Sequence, residues 1–203
     1  GATLVPLARA EAFTLNYTIK QPGYTTYTIK SPTPQPITKP STTTTKPSTT
    51  SNTSQTVQTP APAPTTSVAI PTGLTAEEAA MVKLVNNERV RAGLKPLQVD
   101  MRLVQTARAK SQDMIQKNYF GHTSPTYGNP YQQMKAAGIT GYSVLGGENI
   151  AGNSSVEGAH KSLMNSPGHR ANLLDARYTH LGIGIVNGGP YGKMFTQHFA
   201  GNW

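Results

Sequence analysis

The sequence predicts an α+β domain over residues 73–203, a layered α-β-α sandwich of helices on a small antiparallel sheet, preceded by a disordered Thr/Pro-rich arm. Three observations carry this expectation. Composition changes abruptly near residue 73, from a stretch almost without large apolar residues to one with regular apolar spacing. The second part opens on helix-capping signals followed by apolar residues at helical intervals. It closes on two apolar, β-branched and aromatic runs separated by a glycine-rich turn, the pattern of a strand pair.

The chain of 203 residues divides into three parts. Residues 1–30 carry a repeat, Tyr17-Thr18-Ile19-Lys20 and Tyr27-Thr28-Ile29-Lys30, too short to fold alone and expected to be unstructured. Residues 31–72 are the arm, nearly all Thr, Pro, Ser, Gln, Lys and Ala, with prolines recurring from Pro32 to Pro64. Such a segment buries too little apolar area to offset its ordering entropy and behaves as an extended spacer. Residues 73–203 hold the core.

Within that core Thr75 and Glu78 form a capping box for a first helix through Met81, Val82, Leu84, Val85 and Val90, which Gly93 closes. Asp100 caps a second helix, on which Leu103, Ala107 and Met114 recur at helical spacing. A third runs from Pro130 to Ala137 and stops at Gly138, and a fourth starts near Ser154 or Ser155 and reaches Met164. Residues 181–186 and 193–199 are the strands, joined by Asn187-Gly188-Gly189-Pro190-Tyr191-Gly192.

Composition also narrows function. There is no cysteine, so thiolate chemistry and disulfides are absent, and any active group must be His, Glu, Asp, Ser or Tyr. The net charge of +9, from 18 basic against 9 acidic residues, is spread over both halves without a dense basic cluster. That diffuse field argues against a nucleic-acid partner; it reads first as ordinary solubility charge, and otherwise as loose attraction to anionic envelope polymers or lipid head groups. No stretch approaches the ~20 consecutive apolar residues of a membrane span. The opening Gly1-Ala2-Thr3 shows no basic-then-apolar leader, as expected of a start from which an export signal has been removed. A monomer is expected.

Three segments point to a site: Gly121-His122-Thr123-Ser124-Pro125, Gly147-Glu148-Asn149-Ile150-Ala151, and residues 164–174, which read Met-Asn-Ser-Pro-Gly-His-Arg-Ala-Asn-Leu-Leu. With Thr179-His180-Leu181-Gly182-Ile183-Gly184 following, the chain resembles the CAP superfamily, also called SCP-like, in its bacterial extracellular form. The resemblance spans residues 74–203. It implies the α-β-α sandwich fold, an extracellular or cell-wall location, and a central cleft where His122 and His169 face one another beside Glu148. In animal and plant relatives two histidines and two glutamates line that cleft, and the histidine pair can bind a divalent metal such as zinc. Here the helix before Gly168-His169 carries Leu163-Met164-Asn165-Ser166 where those relatives place an aromatic and an acidic residue, so His122, Glu148 and His169 are carried over and Glu157, at the start of that helix, is not.

The chemistry of the trio agrees. Neutral imidazole is a good zinc ligand, and two imidazoles with at most one carboxylate make a weak site. His122 and His169 are thus the candidate metal ligands, with Glu148 as a general base toward a bound water. Ser124, Asn149 and Asn165 are expected to line the cleft. His180 and His198 read as packing or surface residues, and Asn172 as a bridge between backbone groups. Each of the trio also has a purely structural reading, in which His122 and His169 bond loop backbone and Glu148 anchors loops through N–H donors. Three functions follow: a cleft binding a metal or a small lipid or envelope ligand, a metal-assisted hydrolase of peptide or cell-wall polymer, or an adhesive envelope module.

Overall fold

The computed structural model describes residues 68–202 together with the backbone of three short strands, Thr14–Leu15 (β1), Tyr24–Tyr27 (β2) and Ile29–Lys30 (β3). The arm from 31 to 67 and the first copy of the repeat lie outside the described residues; the second copy spans the end of β2 and β3. β1 pairs antiparallel with β3, and β2 pairs antiparallel with Val68–Pro71, which is β4. Composition placed Val68–Pro71 in the arm. Its alternating Val68 and Ile70 are buried, which brings this stretch into the folded part.

Five helices and four further strands follow in order: α1 (Ala76–Arg91), β5 (Gln98–Val99), α2 (Met101–Gln116), α3 (Pro130–Ala136), β6 (Val144–Asn153), α4 (Val156–Asn165), α5 (Pro167–Leu173), β7 (His180–Asn187) and β8 (Lys193–Gly201). The capping box of α1 is present on both sides, Thr75 Oγ1 accepting from the Glu78 amide at 3.1 Å and Glu78 from the Thr75 amide at 2.9 Å. Asp100 caps α2, and Gly138 follows α3 with φ of 75°, the left-handed step glycine permits.

The main sheet has the order β5-β7-β8-β6. It is mixed, not purely antiparallel as the strand pair suggested, because β5 runs parallel to β7. Two residues of extended chain between α1 and α2 give no period from which to recognise that strand. β6 is likewise absent from the sequence reading, since its Gly146, Gly147 and Gly152 dilute the strand pattern. So is α5, whose Pro167-Gly168 looks like a breaker although proline is favoured in a first helical turn.

Side chains alternate across the sheet, with one irregularity in β6 between Leu145 and Gly147. Leu181, Ile183, Phe195 and Phe199 join Met81, Val82 and Val85 of α1 and Ala159 and Leu163 of α4 in the larger core cluster. The opposite face carries α2. There β7 presents Gly182 and Gly184, and a Cβ on either would strike the α2 backbone at Leu103 or Ala107–Arg108. The two glycines let α2 lie directly on the strand, and polar groups of α2 thereby reach the sheet. Ser111 Oγ meets Thr196 Oγ1 at 2.8 Å and donates to the Gly184 carbonyl at 2.9 Å.

Arg89 fastens α1 to the connection between α5 and β7. Its guanidinium is buried and donates to the carbonyls of Lys95, Leu173, Asp175 and Tyr178 at 2.9, 2.9, 2.9 and 3.2 Å. Burial pushes its pKa down to about 10, opposed by the Asp175 charge. Replacing Arg89 by Met leaves these carbonyls without their donor, and we expect a loss of about 3 kcal/mol of stability in urea unfolding. Unfolding within 0.5 kcal/mol of wild type, on the order of a surface substitution, would contradict this role.

Candidate functional site

The site is built on α2. Spacing alone places Lys110 in the apolar stripe with Leu103, Ala107 and Met114, and Lys110 is indeed buried. Its ammonium donates to the carbonyls of Gly121 at 2.7 Å and His122 at 3.0 Å and to the Tyr119 hydroxyl at 3.2 Å. One turn on, Asp113 accepts from the hydroxyls of Tyr119, Ser124 and Thr126 at 2.6, 2.6 and 2.5 Å. Burial works to raise the Asp113 carboxyl, but the Ser124, Thr126 and Tyr119 donors outweigh it and hold it below its ordinary value. One cation and one anion of a single helix thus staple residues 119–126 in place. Ser124, expected in the cleft, is spent inside this loop: its buried hydroxyl also accepts from the amides of Thr126 and Tyr127.

His122 leaves the stapled loop with a side chain 54% exposed, and its Nδ1 lies 2.7 Å from Glu148 Oε1. The Glu148 side chain is 1% exposed. Its other oxygen, Oε2, lies 2.8 Å from Nε2 of His198, which is wholly buried on β8 directly opposite Glu148 on β6. His198 Nδ1 in turn lies 2.8 Å from Thr106 Oγ1 of α2. With both oxygens bonded to imidazoles and the carboxylate shielded from solvent, Glu148 orients side chains; this geometry gives no support to its expected role as a base toward a bound water.

On the other face of β6, Asn149 donates to the His169 carbonyl at 3.0 Å and to Gln197 Oε1 at 3.1 Å. Asn172 donates to Asn149 Oδ1 at 3.0 Å and to the Glu148 carbonyl at 3.2 Å. These amides fasten α5 to β6 and so place His169. Its Nδ1 lies 2.7 Å from Oγ of Ser166, the residue at the start of α5 whose hydroxyl makes no cap bond. Burial lowers the His169 pKa, and the proximity of His122 lowers it further. The structure therefore groups His122, Glu148 and His169, with Asn149 serving from beneath. Asn165, the last residue of α4, is exposed and makes no contact with this network among the described residues.

Sequence reasoning passed over Lys110 and Thr106, gave Ser166 no role at the site and read His198 as a packing or surface residue. Two signals were present: a lysine at an apolar helical position, and Thr196 and His198 alternating with Phe195 and Phe199 in one strand. Ser166 lies in the stretch where the resemblance puts an aromatic and an acidic residue in animal and plant relatives, and here its hydroxyl bonds His169.

The fold and these histidines can be set beside known proteins. The family model described as the cysteine-rich secretory protein family, CAP, matches residues 82–199, more than half of the chain. This chain belongs to the CAP family. Its cysteine-free CAP domain is 49% identical over 137 residues to the uncharacterized protein YkwD of Bacillus subtilis, covering 67% of this chain and 51% of that protein. Among solved structures it resembles an extracellular protein containing an SCP domain from Bacillus anthracis, with 32% identity and a TM-score of 0.57, over 68% of this chain and 47% of the other. The chain spans about half the length of each. An outer surface protein of Borrelia burgdorferi, at 16% identity and a TM-score of 0.57 over 63% of this chain and 93% of that one, shares the fold. No helix among the described residues is long and apolar enough to cross a membrane.

Burial lowers the pKa of four histidines in this CAP domain, His160, His169, His180 and His198. Their folded values lie below the unfolded value of about 6.5, so below that pH the unfolded chain binds more protons. Stability should be full above pH 7 and decline as pH falls through 6, each buried imidazole adding a slope of up to about 1.4 kcal/mol per pH unit. Urea melts from pH 8 to pH 5 check this. A stability that stays flat or rises toward pH 5 would contradict it.

Proposed function

We propose that this CAP domain binds its ligand through the Nε2 atoms of His122 and His169, with a divalent metal such as zinc as the simplest ligand, in an extracellular, cell-envelope setting. One observation carries the reading. Both rings engage Nδ1 inside the protein, with Glu148 and with Ser166, while no hydrogen bond among the described residues reaches either Nε2. An acceptor behind an imidazole holds the proton on Nδ1 and leaves Nε2 as the ligand atom; the Glu148 carboxylate can only accept, and the Ser166 hydroxyl serves in the same way where it accepts from His169.

The donor set fits a weakly held metal. No three His, Asp or Glu side chains converge as a ligand set among the described residues, so the protein would offer two imidazoles and leave the other positions to water or to an organic ligand. Bound there, zinc would supply a Lewis-acid contact for an anionic or carbonyl oxygen. Exposed rings near His122 support an organic component from a lipid or envelope polymer: Phe120 and Tyr191 meet edge to face with centroids 5.9 Å apart. The enclosed Glu148 favours binding over metal-assisted hydrolysis. The extracellular setting is supported by the Bacillus anthracis relative.

Calorimetric titration of zinc into the full chain at pH 7.5 tests the reading, against a His122→Ala/His169→Ala double variant. We expect saturable one-to-one binding in the wild type, weakened at least 100-fold in the double variant. Equal heats from the two proteins would refute the metal reading.

A further inference from the structure

His198 is a polar ring with no exposure, held between α2 and β6. Burying such a ring costs free energy unless its nitrogens are bonded. Nδ1 faces Thr106 Oγ1 at 2.8 Å and Nε2 faces Glu148 Oε2 at 2.8 Å. The Thr106 hydroxyl also lies 3.0 Å from the Leu103 carbonyl, and it has one proton to give. If that proton went to Leu103, His198 would have to donate from Nδ1, and a neutral ring would then turn a bare Nε2 toward the carboxylate oxygen. Two acceptors at 2.8 Å repel. The alternative satisfies every group: Thr106 donates to Nδ1, and Nε2–H donates to Glu148. Burial favours the neutral ring that this assignment requires, against the opposing pull of Glu148.

The carboxylate is then fixed from both sides. Its Oε2 accepts from the interior, from His198, and its Oε1 accepts Nδ1–H from His122, whose Nε2 lone pair faces away from Glu148. A carboxylate held at one oxygen turns easily about its last torsion, which is broad and two-fold. The second anchor removes that freedom.

We propose that His198 is a positioning residue for the cleft: by pinning the second oxygen of Glu148 it fixes His122 as the Nδ1–H tautomer with an unprotonated Nε2 toward the ligand. This rests on the reading that the cleft binds through the Nε2 atoms. His198 touches no ligand itself. It acts through Glu148, from a strand opposite in the sheet.

The test compares wild type with His198→Phe, which keeps the ring volume and loses both polar atoms, and His198→Gln, whose amide can donate to Glu148 and accept from Thr106. Long-range 15N–1H NMR of the zinc-free full chain at pH 7.5 reads the tautomers, and zinc calorimetry reads affinity. We expect His122 to be Nδ1–H and His198 Nε2–H in the wild type. In His198→Phe we expect His122 to become a tautomer mixture, with zinc affinity down about tenfold or more, as removal of an outer-shell partner typically gives. In His198→Gln both readouts should return to within about threefold of wild type. A His198→Phe protein whose His122 tautomer is unchanged would overturn the proposal. If that variant fails to fold, a wild-type His198 found as Nδ1–H would overturn it alone. Should the wild type bind no zinc, the metal reading fails, and the zinc-free tautomers still decide the role of His198.

Discussion

A carboxylate enclosed between a sheet and a loop sets the terms for this domain. Glu148 sits in the interior with a side chain 1% exposed, and an isolated charge there would cost several kcal/mol. Each of its oxygens is therefore met by an imidazole, one from the loop and one from the neighbouring strand. The pairing of β6 with β8 puts Glu148 and His198 side by side. The close seat of α2 on Gly182 and Gly184 brings Thr106 within reach of that second ring. The buried ammonium of Lys110 adds a favourable positive field that both Glu148 and Asp113 feel. A requirement of electrostatics at one residue is met by the register of a sheet, the packing of a helix and the anchoring of a loop.

The two faces of the sheet divide the work. The α2 face gathers the charged and hydroxyl groups that hold His122: Lys110, Asp113, Thr106 and His198. The opposite face is mainly apolar, and through it Asn149, Asn172 and Gln197 run an amide chain that fixes α5 and so His169. His122 and His169 are thus positioned by separate networks on opposite sides of β6, one ionic and one neutral. They meet where the stapled loop and the short α5 helix come together. The Nε2 atoms of both rings carry no internal partner among the described residues.

Much of the fold was legible because it rests on local rules. Thr75 with Glu78, Asp100, Gly138 and the paired terminal strands each announce themselves within a few residues. β6 and α5 were not, because their glycines and proline obey close packing and end geometry instead of propensity, and β5 is too short to have a period. At the site, His122, Glu148 and His169 were legible through family resemblance, since no short spacing links them. What sequence could not convey is which atoms face which. Ser124 and Ser166 are both serines beside proline, yet one folds its hydroxyl into the loop and the other turns it to His169. His198 looked like one more strand residue until the register set it against Glu148.

The claim on which the rest depends is that Glu148 holds His122 through a bond that matters energetically, and a double-mutant cycle measures it most directly. Urea unfolding at pH 7.5 of the wild type, Glu148→Gln, His122→Ala and the double variant yields the coupling between the two side chains. Because His122 is partly exposed, a coupling of about 1 kcal/mol is expected. Additive losses, with a coupling below about 0.3 kcal/mol, would show that the two groups merely lie near one another and would contradict it.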